Sequence, residues 1–369
     1  MNVPFIDLKK QHQSIKKELK GAVERVLDSQ QFVMRDHMRH LESEVARRSG
    51  ARFGVGVASG TDALYLALWA LGIEKGDEVI TTPFTFFASA SSIARVGAKP
   101  VFADVDSRTF NLDPSRIESR ITPRTKAILV VHLFGLPCDM EPILKIARKR
   151  SLFVIEDVAQ AFGAEYKGKR AGSFGEVSCF SFYPTKNLGG IGDGGMVVTS
   201  SEEIVKKIKL IRDHGQVKKY HHEFVGINSR LDEIQAAALL VKLKYIERWN
   251  RLRRKHAADY DKKLKDLPVQ TPLVPKGYEH VYHLYSILTD RREALLEFLI
   301  KKGIGAGVYY PLPLHLQPCF KELGYKKGDL PVTEALSERI LSIPMYAELS
   351  EKSKDFVTAS IREFFGVKK

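Results

Sequence analysis

Apolar residues near the start of the chain recur with helical spacing. Between residues 10 and 29, the positions that share one face of a helix are Ile15, Leu19, Val23, Val26 and Leu27. This spacing predicts an amphipathic helix. Leu41 and Val45 repeat the pattern a little further along, so we predict a second helix there.

From residue 55 onward, short apolar runs alternate with helical patterns. The runs typical of strands cover residues 79–82, 100–104, 127–132 and 152–156. Because crossover-length segments separate them, we predict a mostly parallel sheet with helices on both faces. Functional residues in such folds gather at the carboxyl ends of the strands. The candidates at those ends are residues 81–86, His132, Asp157 and residues 183–186.

A helical pattern rich in Ala and Leu covers residues 231–256, after a further strand-like run that follows Gly195. We place a domain boundary in this helix. Residues 1–248 are predicted to form a large domain with an N-terminal helical segment, and residues 249–369 a small C-terminal domain. The small domain combines a strand-like segment, a helix, a proline-rich stretch and two terminal helices, which predicts an α+β arrangement.

The composition is that of a folded protein. The chain has 369 residues and 44% of them are hydrophobic, enough for a large core. Its three cysteines are far apart, so neither a disulfide framework nor a Cys-x-x-Cys metal site is indicated. The first ten residues lack the order of a signal peptide, and no apolar run approaches the roughly 18 residues of a membrane span. We therefore expect a cytoplasmic protein without a membrane segment.

The formal net charge of +14 raises the possibility of nucleic-acid binding. The basic residues are spread from Lys9 to Lys369 and no known nucleic-acid motif accompanies them. We therefore assign most of them to solvated helix faces and expect no nucleic-acid partner. Attraction of an anionic ligand is the alternative.

Lys186 is the most informative residue, because it stands in a glycine-rich turn directly after an apolar strand. Pyridoxal phosphate chemistry needs such a lysine amine for a Schiff base, a carboxylate facing the pyridine nitrogen, and donors for the phosphate. Asp157, at an upstream strand end, is the candidate carboxylate, with helix capping as its alternative role. A partly desolvated pocket would lower the pKa of Lys186 toward neutrality and let it move protons.

The phosphate site is predicted at Ser59, Gly60 and Thr61, where a loop opens a helix. Free N–H groups and the helix dipole attract a dianion there, and glycine permits close approach. Ser181 is a second candidate phosphate ligand. Phe86 is a candidate for stacking on the pyridine ring, although an aromatic residue at a strand end can also belong to the core.

Two further patterns are set aside. The glycines between residues 190 and 195 match G-x-G-x-x-G, but they precede a strand instead of opening a helix, so no dinucleotide site is indicated. We expect these glycines to supply positive φ in a tight turn. His214, His221 and His222 lack a metal-binding spacing, and we predict no metal site.

Taken together, the ordered blocks resemble the DegT/DnrJ/EryC1/StrS family of sugar aminotransferases. The main blocks are ASGTDAL at 58–64, TPFTFFA at 82–88, IEDVAQ at 155–160, SFYPTK at 181–186 and GDGG at 192–195. The resemblance spans the chain, from residues 3–8 to residues 336–345. It implies an α/β, fold-type I aminotransferase, with a mostly parallel seven-stranded sheet between helices and a smaller α+β C-terminal domain. It also implies a homodimer with shared active sites.

The resemblance assigns roles to matched positions. In the family pattern, Lys186 is the Schiff-base lysine, Asp157 faces the pyridine nitrogen, and Gln160 lies near the cofactor hydroxyl. The implied phosphate ligands are Gly60, Thr61, Ser181 and, from the neighbouring subunit, Asn228, while Phe86 stacks on the ring. Arg230 resembles a contact to the nucleotide sugar. Tyr309 and Tyr310 are candidates for substrate binding, and at Tyr309 the chain departs from the family pattern, since many relatives have histidine there.

We therefore predict transfer of an amino group from L-glutamate to a keto group, expected at C3, of a nucleotide-linked sugar. The carrier is pyridoxal 5'-phosphate, with pyridoxamine 5'-phosphate in the cycle, and the product serves polysaccharide or other glycan biosynthesis. Amination at C4 and sugar dehydration are alternatives, although the related dehydratases replace the lysine by histidine. A DNA-binding regulatory protein is the alternative outside the enzymes.

Overall fold

The computed structural model describes residues 1–367. Eleven α-helices occur in this part of the chain, and their bounds are α1 Lys9–Ser29, α2 Asp36–Arg48, α3 Gly60–Ala70, α4 Ala88–Arg95, α5 Met140–Arg150, α6 Glu202–Ile211, α7 Glu233–Leu243, α8 Ile246–Leu264, α9 Arg292–Lys301, α10 Pro331–Arg339 and α11 Glu351–Phe364. None of these helices combines the length and the apolar character that a membrane crossing requires.

The strands of the same residues fall into one large sheet and several small ones. Their bounds are β1 Phe53–Val57, β2 Glu78–Thr81, β3 Lys99–Phe102, β4 Thr125–Val131, β5 Phe153–Asp157, β6 Glu165–Tyr166, β7 Lys169–Arg170, β8 Val177–Ser181, β9 Gly195–Thr199, β10 Gln216–Lys218, β11 His221–His222, β12 Tyr278–Glu279, β13 Tyr285–Leu288 and β14 Ile340–Ile343.

The large sheet has seven strands in the order β1-β9-β8-β5-β4-β2-β3. Only β9 runs against its neighbours β1 and β8, while the other pairs are parallel. Apolar side chains from both faces pack against helices, with Leu66 and Ile155 in one core cluster and Ile128 and Ile143 in another. The predicted mostly parallel sheet between helices is confirmed.

The parallel strands bring distant parts of the chain to one edge of the sheet. Asp157 ends β5, Ser181 ends β8, and Ser59 lies two residues after β1. Since these three strands run in the same direction, their carboxyl ends meet at the same edge, where α/β folds bind ligands.

The helical pattern at residues 231–256 forms two helices instead of one. Helix α7 ends at Leu243, where i to i−3 hydrogen bonds from Lys244 and Tyr245 tighten the last turn. The Tyr245 ring then stacks on Trp249 of α8, which fixes the entry of the second helix. The predicted boundary between residues 248 and 249 falls just inside α8 and stays a prediction.

The first residues of the chain pack against its last third. Val3 donates its N–H to the backbone oxygen of Gly303 at 2.9 Å and accepts from Gly305 at 2.8 Å. This pairing carries Phe5 toward Tyr309, where the two rings stack 5.6 Å apart. Around them, α8, α9, α11 and the antiparallel pair β13–β14 enclose a separate apolar core.

Candidate active site

A cavity of about 570 Å³ opens at the carboxyl edge of the sheet. Many of the residues that the sequence singled out line it, among them Ser59, Gly60, Thr61, Phe86, Asp157, Gln160, Ser181, Lys186, Tyr309 and Tyr310. They come from the ends of three strands, the start of α3 and the segment before the C-terminal helices. The fold therefore collects most of the predicted site in one place.

Lys186 projects into this cavity from a turn after β8. The turn is closed by a 2.9 Å hydrogen bond from the Lys186 N–H to the backbone oxygen of Tyr183. Burial lowers the pKa of the Lys186 amine to about 8, although the charge of Asp157 acts in the opposite sense. Its Nζ atom has no hydrogen-bond partner within residues 1–367. An amine in this state is available as a nucleophile near neutral pH.

Asp157 lines the same cavity and is buried. Its Oδ2 atom accepts a hydrogen bond from Ser89 Oγ at 2.9 Å, and its Oδ1 atom accepts one from the Ala159 N–H at 3.1 Å. Burial raises the pKa of Asp157 above its ordinary value, against these two hydrogen bonds and the charge of Lys186. A cation placed beside this carboxylate would relieve the cost of its burial.

The start of α3 and the end of β8 form a close-packed cradle. Ser59 caps the helix by accepting a hydrogen bond from the Asp62 N–H at 3.1 Å. The N–H groups of Gly60 and Thr61 have no carbonyl partner inside the helix because they belong to its first turn. A Cβ atom on Gly60 would lie only 2.5 Å from Ser181 Cβ. Glycine is therefore required for this approach, and the free N–H groups suit an anion.

The glycines after Lys186 allow close packing, and the predicted positive φ is wrong. No glycine between residues 189 and 195 has a positive φ. A Cβ atom on Gly189 would lie 2.3 Å from the backbone oxygen of Pro184, and one on Gly195 would lie 2.2 Å from that of Ser59. Strand β9 can therefore approach the start of α3 only without a side chain.

Two side chains of helix α7 form hydrogen bonds with the backbone of this glycine segment. Lys242 is buried, and its Nζ atom donates to the backbone oxygens of Gly189 at 2.6 Å and Gly190 at 3.2 Å. Gln235 Oε1 accepts from the Ile191 N–H at 2.8 Å. Burial lowers the pKa of Lys242 to about 8. No local pattern in the sequence predicted either of these two side chains of α7.

Gln160 links the cavity wall to the C-terminal part of the chain. Its Oε1 atom accepts from the Phe134 N–H at 2.7 Å, and its Nε2 atom donates to the Tyr310 hydroxyl at 3.1 Å. Tyr310 is thereby fixed beside Tyr309, whose other ring partner is Phe5.

Asn228 and Arg230 lie outside the cavity of their own chain. Asn228 is exposed and forms a bridge with Asp213, and Arg230 Nη1 donates to Asp213 Oδ1 at 3.0 Å. Both residues follow the hairpin of β10 and β11, in which Tyr220 is 80% exposed. The structure of one chain therefore does not bring them to Lys186.

Several residues of the site were not predicted, and Ser89, Phe5 and His283 are three of them. These three reach the site through packing between segments far apart in sequence. Ser89 lies in a helix of small residues and Phe5 near the N-terminus, where neither stands in a recognisable catalytic pattern. Their positions depend on the tertiary fold.

The residues present fit pyridoxal phosphate. The cradle at Gly60 and Ser181 can take the phosphate, the buried carboxylate of Asp157 can meet a protonated pyridine nitrogen, and Lys186 offers a free amine. Each element matches one requirement of that cofactor.

Comparison with known proteins identifies relatives along nearly the whole chain. A relative from Geobacillus stearothermophilus named "Pleiotropic regulatory protein" is 49% identical, with 99% of each chain covered. A UDP-N-acetyl-3-dehydro-α-D-glucosamine 3-aminotransferase from Acidithiobacillus ferrooxidans is 46% identical, with 98% of this chain and 97% of that protein covered.

The crystal structure of DesV from S. venezuelae, in complex with a ketimine intermediate, matches with a TM-score of 0.97. It is 40% identical and the match covers 100% of both chains. Other structural neighbours contain pyridoxamine phosphate. The predicted fold type, aminotransferase class and cofactor are thereby confirmed. The sequence model of the DegT/DnrJ/EryC1/StrS aminotransferase family matches residues 13–362, and the chain belongs to that family.

Proposed function

We propose that the protein transfers an amino group from L-glutamate to the C3 keto group of a nucleotide-linked sugar. The observation that carries the proposal is the amine of Lys186, which has no hydrogen-bond partner among residues 1–367 and shares its cavity with the buried carboxylate of Asp157. The choice of a keto group at C3 is supported by the relative named as a 3-aminotransferase at 46% identity. We place this activity in the cytoplasm, in the synthesis of polysaccharide or another glycan.

Pyridoxal phosphate, when bound, supplies an electron sink and a carrier for the amino group. The chain's own residues bind and orient it. The N–H groups at the start of α3 and the Ser181 hydroxyl bind the phosphate, and Asp157 keeps the pyridine nitrogen protonated. Ser89 and Ala159 hold that carboxylate in place.

Lys186 would hold the cofactor through its amine, with loss of water, and would move protons once the amine of the donor has displaced it. With a pKa of about 8, both its neutral and its charged forms are populated near neutral pH, so it can take a proton from one atom and return it to another. Phe86 and Gln160 line the same cavity, where we assign them to the ring face and the cofactor hydroxyl. Tyr309 and Tyr310 are assigned to the sugar.

A homodimer with shared active sites is part of the proposal. Among the described residues that line the cavity, the charged side chains are Lys186, Asp157 and Asp193, whereas the cofactor phosphate, the nucleotide diphosphate and glutamate are all anionic. Further cations must therefore reach the site. Arg230 suits this role from a second copy, and Asn228 can add a neutral amide donor, because both lie next to an exposed hairpin whose neighbour Val225 is 90% exposed.

The test is product identification with glutamate and a panel of 3-keto and 4-keto nucleotide sugars. We expect amination of a 3-keto sugar and, in Lys186→Ala, loss of turnover and of the visible absorbance of the holoenzyme. Lys207→Ala, a change on the surface of α6, serves as the matched control. Amination of 4-keto sugars alone would move the assignment to C4, and a yellow, active Lys186→Ala variant would contradict the catalytic assignment.

The relative named as a regulatory protein and the charge of +14 favour a DNA-binding role as the second candidate. Retention on DNA through phosphate neutralisation falls steeply with salt and does not depend on sequence. We expect only such weak retention, lost at physiological ionic strength. Sequence-specific retention at that ionic strength would support the regulatory role.

A further inference from the structure

One buried hydroxyl group contacts both flanks of the α3 side of the cradle, residues 59–61. Ser229 Oγ accepts a hydrogen bond from the Ala58 N–H at 3.2 Å and donates one to Asp62 Oδ2 at 2.7 Å. Because a backbone N–H only donates and an ionised carboxylate only accepts, the direction of both bonds is fixed. The side chain is fully buried. Ser229 therefore links the residue before the cradle to the residue after it.

Asp62 places a negative charge beside a site that we assign to an anion. Its Oδ1 atom accepts a hydrogen bond from Arg95 Nη1 at 3.1 Å, and its Oδ2 atom accepts the bond from Ser229. The helix dipole stabilises a carboxylate in the first turn, but it does not fix the direction of the side chain. Without the Ser229 hydroxyl, Oδ2 would lose this partner, and a less restrained negative charge would lie next to Thr61.

The segment around Ser229 has an inner and an outer face. Ser229 and Leu231 are buried, whereas Asn228 is exposed and Arg230 is half-buried. Alternate burial of this kind is typical of extended chain, in which successive side chains point to opposite faces. The Ser229 N–H also donates to the backbone oxygen of Arg212 at 2.9 Å. The main chain and the side chain are thus held at the same point, which fixes where the outer face begins.

We propose that Ser229 is a positioning residue for two cofactor sites at once. Its hydroxyl holds the α3 side of the cradle in its own chain, and the same bonds hold the segment that offers Asn228 and Arg230 to the second copy. The inference rests on the proposed homodimer with shared sites. It follows that loss of this hydroxyl in one copy weakens cofactor binding in both sites of the dimer.

The experiment uses mixed dimers of the full-length apoprotein, purified through a different affinity tag on each copy. One copy carries Lys186→Ala, so only the site that keeps the lysine gives the visible absorbance of linked pyridoxal phosphate. In the first arrangement, Ser229→Ala is in the copy that keeps Lys186. In the second arrangement, it is in the copy that lacks Lys186. Titration with pyridoxal phosphate then yields the Kd of one site in each case.

In the first arrangement we expect Kd to rise about tenfold, because the cradle loses a hydrogen bond to a charged group. In the second arrangement the cradle is intact and the altered copy supplies only the outer face, so we expect a rise of about threefold. At saturating pyridoxal phosphate, the first arrangement should still react with L-glutamate at the rate of the unaltered dimer. This split between affinity and rate distinguishes loss of positioning from general damage to the fold.

Ser286→Ala is the matched control. Ser286 is also a buried serine whose hydroxyl has a side-chain partner, Ser342 Oγ at 2.7 Å, but it is not among the described residues that line the active-site cavity. We expect no change in Kd in either arrangement. If Ser229→Ala does not form dimers, Asp62→Ala removes the acceptor of the same hydrogen bond, with the same two expectations.

An unchanged Kd in either arrangement overturns the inference, and so does an equal rise with Ser286→Ala. Failure of the proposed function has a different signature. If the sites are not shared, Asn228→Ala in the copy that lacks Lys186 leaves Kd unchanged. If the chain does not use pyridoxal phosphate, even the mixed dimer without a change at position 229 gains no visible absorbance.

Discussion

Gly60→Ala tests the cradle between α3 and β8. The new Cβ atom would lie 2.5 Å from Ser181 Cβ, whereas ordinary contacts begin near 3.4 Å. The two segments must therefore separate by about 0.9 Å, the difference between these distances. Overpacking of this kind costs about 1–3 kcal/mol. If the whole cost falls on the cofactor-binding geometry, affinity decreases by roughly 5- to 150-fold.

The assay is titration of the apoprotein with pyridoxal phosphate, followed by absorbance, which yields Kd. Global stability should change less than affinity, because alanine is favoured over glycine in a helix by roughly 0.5–1 kcal/mol. Gly21→Ala in α1 is the control, since its Cβ atom would meet only the end of the Arg25 side chain at 3.5 Å. Wild-type affinity in a folded Gly60→Ala protein would refute the assignment of the phosphate to this cradle.

Three further predictions concern charge and assembly. Asp157→Asn should lower kcat/KM by about 100-fold or more, while the apoprotein unfolds at higher urea at pH 7. Burial raises the pKa of the Asp157 carboxyl, so the contribution of this group to stability is lost as pH rises through its pKa in the folded protein, and the neutral amide of the variant avoids that loss. A variant apoprotein no more stable than the wild-type apoprotein would contradict this reasoning. The pKa of Lys242 is lowered to about 8, so the free energy of unfolding of wild type should rise by up to about 3 kcal/mol between pH 7.5 and pH 10. Urea unfolding of Lys242→Met should show no such rise. The same dependence on pH in this variant as in wild type would contradict the assignment to Lys242. Val225→Asp should convert the proposed dimer into monomers of 41.6 kDa in sedimentation, and a dimer that persists would exclude this face.

The sequence predicted the site to the extent that local patterns determine it. Asp157 and Ser181 end apolar runs, and parallel strands bring such ends together, so their meeting at one edge of the sheet followed from pattern and topology. The start of α3 was predictable for the same reason, since glycine beside hydroxyl residues marks an anion-binding turn.

Other features depend on contacts that no local pattern encodes. The break at Lys244, between α7 and α8, contains neither glycine nor proline, so no helix-breaking residue marks it in the sequence. The glycines near residue 190 have no positive φ, and what requires glycine there is neighbouring chain that leaves no space for a side chain. Ser229 contacts the two flanks of the phosphate cradle, at Ala58 and Asp62, from 171 and 167 positions away.

The pairing of Val3 with Gly303 and Gly305 has a consequence for biosynthesis. Chains fold as they leave the ribosome, amino end first. Here the segment that contributes Phe5 to the catalytic pocket pairs with residues synthesised some 300 positions later. The opening segment must therefore stay unattached while the parallel sheet assembles. The nascent enzyme acquires its complete pocket only after the carboxyl third has emerged.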